Sequence, residues 1–107
     1  MIAETPDPPY TAVIFTSLRI AGDNGYGEAS AEMGRLAREQ PGFLGMESAR
    51  ADVGLTVSYW RTEDDARAWK RVAEHVEAQR RGRGEWYAAY EVRIATVTRA
   101  YGTRHED

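Results

Sequence analysis

The sequence predicts an α+β domain of βαββαβ order, a ferredoxin-like sandwich with both helices on one face of a four-stranded antiparallel sheet. Three observations predict it. Segments rich in β-branched and aromatic residues alternate with segments of helical periodicity in the order strand, helix, strand, strand, helix, strand. Clusters of Gly, Pro, Asp and Asn separate them. The first strand is apolar on both faces, so both must be covered.

Residues 1–9 hold three prolines and read as a flexible, extended arm. The folded domain spans residues 10–101, and residues 102–107 form a polar tail. Tyr10 to Arg19 is the first strand, with Ala12, Ile14 and Leu18 on one face and Val13 and Phe15 on the other. Ala21 to Gly25 is a turn that can supply an N-cap. Tyr26, Ala29, Met33, Leu36 and Ala37 then recur at spacings of three and four, one stripe of a helix. Gly34 sits inside that helix, where close packing on the sheet would account for it. Gln40-Pro41-Gly42 ends it.

Phe43 to Arg50 and Leu55 to Arg61 are strands of a hairpin about the turn 51–54. Strand three directs Val57 and Tyr59 to one side and Trp60 to the other. Thr62 caps a second helix whose first turn carries Glu63, Asp64 and Asp65 against the positive end of its dipole. Its apolar stripe is Ala66, Trp69, Val72, Ala73 and Val76, and Gly82 is the expected stop. The last strand is placed at about Ala89 to Tyr101, long enough to protrude from the sheet. The protruding end and the uncovered apolar face together predict a C2 homodimer.

Composition excludes several classes. With no cysteine, disulfide frameworks, zinc–thiolate sites and iron–sulfur clusters are excluded, which suits a reducing, cytoplasmic setting. No apolar run approaches the roughly 20 residues of a membrane span, and a net charge of -3 argues against a nucleic-acid partner. Arg80, Arg81 and Arg83 are explained as the basic end of a helix. Asp64 and Asp65 lack a converging third ligand, so no metal site is expected.

The segments Gln40-Pro41-Gly42-Phe43-Leu44-Gly45, Ser58-Tyr59-Trp60-Arg61 and Ala68-Trp69-Lys70, with His75 beyond, resemble the antibiotic biosynthesis monooxygenase family. The likeness extends over roughly Tyr10 to Tyr101. It implies a dimeric α+β barrel and a cofactor-independent monooxygenase acting on a small aromatic, phenol- or quinol-like ligand. Alternatively it implies a heme-binding or heme-degrading monooxygenase, a branch with a tryptophan and a histidine on or after the second helix and an asparagine on the first strand, where Thr16 and Ser17 stand here. A third alternative is a non-catalytic dimeric stress protein that holds a small ligand.

His75, as a general base or heme ligand, and Trp69 are the expected catalytic residues. The competing reading of His75 is a solvated helix residue among Arg71, Glu74 and Glu77. Ser17, Tyr59, Trp60, Trp86 and Tyr90 are the expected substrate-binding residues, with Tyr87 a further phenol able to donate a hydrogen bond. For each the competing reading is core or dimer packing.

Overall fold

The computed structural model describes residues 1–80 and 83–104. It has the expected order: β1 (Tyr10–Arg19), α1 (Tyr26–Arg38), β2 (Phe43–Arg50), β3 (Gly54–Trp60), α2 (Glu63–Arg80), a one-turn α3 (Arg83–Trp86) and β4 (Tyr87–Val97). The strands form one antiparallel sheet of order β2-β3-β1-β4. Gly82 and His105 lie outside the described residues.

Local chemistry sets the ends of the helices. The Asp23 carboxylate accepts from the backbone N–H groups of Gly25 and Gly27, opening α1. Thr62 Oγ1 accepts from the N–H of Asp65 at 3.1 Å, the predicted cap of α2. Between α1 and β2, Gly42 takes φ +81°, and its carbonyl accepts from the N–H of Arg61 at 2.8 Å. A side chain there would suffer both the left-handed backbone and the Asp65 carboxylate, 2.2 Å from its Cβ.

The register sorts the strand residues. Thr11, Val13, Phe15 and Ser17 lie in cross-strand rows with Trp60, Ser58, Thr56 and Gly54 of β3 and with Thr96, Ile94, Val92 and Tyr90 of β4. This is the face toward the helices. Ala37, Ala66, Trp60 and Trp69 form its core, with Val13, Met33, Leu36, Phe43, Met46, Val72 and Ala73 packed around them. Trp60 is fully buried. Its indole N–H donates to Ser58 Oγ at 2.9 Å, and its ring stacks on Trp69 with centroids 5.9 Å apart.

The opposite face carries Ala12, Ile14, Leu18, Leu55, Val57 and Tyr59, with Leu18 and Leu55 exposed. The N-terminal arm reaches β2: the Ala3 N–H donates to Glu47 at 2.9 Å, and Thr5 Oγ1 shares a hydrogen bond with the Tyr10 hydroxyl.

Two expectations need correction. The last strand ends at Val97, opposite Tyr10, and starts at Tyr87, opposite Arg19. It pairs with β1 along its whole length, and residues 98–101 run on as exposed chain beyond the start of β1. Gly34 meets the far end of Arg38, not the sheet: an added Cβ would lie 3.0 Å from Nη1 of that arginine.

Candidate functional site

The two long helices pack chiefly on β1, β2 and β3, and on β4 only the short α3 makes comparable contact. Tyr90, Val92 and Ile94, all on the helix side of β4, are accordingly exposed. Between this uncovered wall and the helices lies a cleft of about 880 Å³. Its apolar wall includes Val13, Phe15, Met33, Met46 and Trp69.

One end of the cleft is aromatic and polar. Arg19 organises it from outside: Nε donates to the Trp86 carbonyl at 2.9 Å, Nη2 donates to the Gly22 carbonyl, and the guanidinium sits 3.6 Å above the Tyr26 ring. The Trp86 indole donates to the Asn24 carbonyl at 2.8 Å, and the Asn24 side chain donates to the Glu85 carbonyl. These bonds tie the loop before α1 to α3 and thereby fix Trp86 and Tyr87. Tyr87 meets Phe15 and Tyr26 edge to face at 5.3 and 5.8 Å, an arrangement that matches ring edge to ring face.

Burial pushes the Tyr87 phenol well above its ordinary range. The adjacent Tyr26, its hydrogen bond and the charge of Glu77 act in the same direction, against the opposing pull of Arg50. Tyr87 therefore keeps its proton at neutral pH and can donate it in a hydrogen bond. Arg50 reaches the same end from β2, donates to Ser17 Oγ and lies 5.8 Å from the centre of the Tyr26 ring.

Of the residues singled out in the sequence, Trp69, Trp86 and Tyr90 line the cleft. Ser17 and Trp60 stand behind its wall, Ser17 holding Arg50 and Trp60 backing Trp69. Tyr59 faces the other side of the sheet, where its hydroxyl donates to Glu47 Oε1 at 2.7 Å. That bond and the arm's N–H hold the Glu47 carboxyl below its ordinary range, while burial, then Glu47 itself, pushes Tyr59 up to about 12. His75 is exposed on α2 and does not line the cleft. Arg50 escaped sequence reasoning; its signal, a glycine directly across the hairpin, becomes visible only with the register known.

A sequence model of antibiotic biosynthesis monooxygenases matches residues 9–81. The chain belongs to that family. It is 50% identical over 100 residues to the uncharacterized protein YqjZ of Bacillus subtilis strain 168, a match covering 92% of this chain and 88% of that one. Among solved structures, SnoaB of Streptomyces nogalater, a cofactor-independent oxygenase, superposes with a TM-score of 0.64 at 12% identity, over 92% of this chain and 100% of that one. The heme-degrading protein Rv3592 of Mycobacterium tuberculosis gives 0.58 at 18% identity, over 90% and 100%. At such identities both likenesses speak for the fold, that of the α+β barrel proteins of this family.

Among the described residues no group of His, Cys, Asp and Glu could hold a metal ion, and no helix is long and apolar enough to cross a membrane. A heme held by an axial histidine does not fit the described cleft: none of the residues lining it is a histidine.

Proposed function

We propose that the protein is a cofactor-independent monooxygenase of a small phenol- or quinol-like substrate, bound in the cleft between sheet and helices. The observation that carries this reading is the aromatic end of the cleft, where a tyrosine that retains its proton stands against apolar walls. Tyr26 and Tyr87 stand edge to face with centroids 5.8 Å apart, and the two phenols can share at most one hydrogen bond with each other. Two protons and at most one shared bond leave at least one O–H to give to a ligand oxygen. A phenolate seated there gains a charge-assisted hydrogen bond and is favoured over the neutral phenol. Because His75 stands outside the cleft, the phenol's proton leaves to water through the open β4 side.

The ionised ring is electron-rich and can pass one electron to dioxygen. The resulting radical pair forms against the apolar side chains of Trp69, Phe15 and Met33. Radical recombination forms a carbon–oxygen bond, and the peroxide then loses water to leave a quinone. One oxygen atom enters the ring and the other leaves as water, with all four electrons drawn from the substrate.

The test is oxygen consumption with dihydroxynaphthalenes under isotopically labelled dioxygen. The reading expects one labelled atom in the quinone product and a rate lowered in Tyr87→Phe. Consumption equal to the protein-free rate, with ligand still bound, would instead support a non-catalytic binding protein.

The same reading includes a homodimer, supported by the apolar face bearing Ile14, Leu55 and Val57 away from the helices. Sedimentation should give twice the chain mass of 12.0 kDa. Leu55→Glu should halve it, and a wild-type monomer would contradict this part of the proposal.

A further inference from the structure

Arg50 reaches the cleft by an unusual route. It belongs to β2, beyond whose partner β3 lies β1. Arg50 is in register with Gly54, Gly54 with Ser17, and Ser17 with Tyr90, a single row across all four strands on the helix-side face. Ser17 is thus two strand spacings from β2, roughly 10 Å. Only a long side chain can span that distance, and only if the residue between has no side chain of its own. Gly54 satisfies the second condition: a Cβ there would lie 2.0 Å from Nη2 of Arg50 and 2.2 Å from its Cζ. The guanidinium lies across the bare backbone of Gly54 and ends on the Ser17 hydroxyl.

That hydrogen bond goes to a neutral group, so it leaves the positive charge in place. Four of the five guanidinium donors remain for other acceptors. Arg50 is itself exposed and lines the cleft at the same end as Tyr87. Glu77 approaches this end from α2, as its influence on Tyr87 shows. Arg38 and Lys70 face the cleft as well, with the acids Glu47, Glu74 and Glu91, and Lys70 is paired with Glu74 at 4.0 Å, so Arg50 is the cation at this end.

We propose that Arg50, routed across Gly54 and tied to Ser17, forms an anion subsite at the mouth of the cleft, and that the substrate is an aromatic acid whose carboxylate it binds. The planar fork of the guanidinium matches a carboxylate in two parallel hydrogen bonds. The proposal rests on the cleft being the ligand site. Gly54 is then a positioning residue, acting only through Arg50.

Binding of 1-naphthoate, its neutral isostere 1-naphthamide and 1-naphthol, followed by tryptophan fluorescence and calorimetry, tests this. Wild type should prefer naphthoate over naphthamide by about tenfold or more, the worth of a charged hydrogen-bonded pair. Arg50→Gln should abolish the preference. Gly54→Ala should reduce it without changing any charge, because the methyl displaces the guanidinium; Gly54 does not occupy the left-handed region, so alanine brings no backbone strain. Circular dichroism checks that both variants fold. If Arg50→Gln does not fold, Arg50→Lys, which keeps the charge but not the fork, should lower the preference without erasing it. Equal binding of all three ligands by wild type, or a preference untouched by Arg50→Gln, overturns the anion subsite and leaves the cleft reading standing. Failure of all three to bind overturns both.

Discussion

The two ends of the space between sheet and helices are built from similar residues to different purposes. At one end Trp60, Trp69 and Phe43 fill the interior, with the Trp60 indole satisfied inside its own strand by Ser58. At the other, Phe15, Tyr26, Trp86 and Tyr87 stand around a space they do not fill, held by bonds from the Arg19 and Asn24 region. Aromatic side chains alone therefore do not mark a site. What separates the ends is helix coverage. Above β3 lies α2, whereas the helix-side residues Tyr90, Val92 and Ile94 of β4 are exposed.

The comparison can be broken most strongly at the filled end. Trp60→Ala should cost about 3–5 kcal/mol, since the ring is fully buried and its neighbours cannot close the gap. Thermal unfolding should show Tm falling by more than about 12 °C. A loss under about 1 kcal/mol would mean that this end is not the packed core.

Tyr87→Phe probes the open end. It should leave stability within about 1 kcal/mol while weakening phenol binding roughly tenfold, the cost of one hydrogen bond to a charged oxygen. Calorimetric titration with 1-naphthol compared with a thermal melt separates the two effects. Trp69→Ala, on the wall shared by both ends, should lower both quantities together.

Outside both ends, Glu47 couples the arm to the sheet. Its folded pKa lies below the ordinary 4.5, so its contribution is complete above the unfolded value and disappears as pH falls through the folded one. Tyr59 runs the other way: raised from 10.0 to about 12, it contributes fully below pH 10 and loses that contribution as pH rises through about 12. The protection factor of the Ala3 amide, corrected for the intrinsic rate at each pH, should therefore fall in acid before the sheet opens. Acceleration in Glu47→Gln at neutral pH should reproduce part of this effect.

The smallest effect is expected at His75. His75→Ala should change stability by less than about 0.5 kcal/mol and leave naphthol affinity unchanged, because the side chain is exposed and off the cleft.

That last case also shows what the sequence could yield. Helical periodicity predicted the stripe Ala66, Trp69, Val72, Ala73 and Val76, which faces the core. The same wheel turns His75 about 100° from Val76, and its choice as a base rested on the rarity of its chemistry rather than on its position. Strand alternation likewise placed Trp60 opposite Tyr59 and Val57. The Arg50–Gly54–Ser17 row required registers between three strands, two of them distant in the chain, and local patterns do not encode these. The end of β4 was misjudged for a related reason. Thr98 and Tyr101 have strand-forming side chains, but β1 begins at Tyr10 and offers no partner beyond Val97.

The central claim is that ligands enter between sheet and helices, at the end where Tyr87 stands. A co-crystal structure with 1-naphthol tests it most directly. The account predicts ring density against Phe15 and Trp69 with the naphthol oxygen at the Tyr87 hydroxyl. Density instead on the opposite face of the sheet, over Ile14 and Val57, would contradict it.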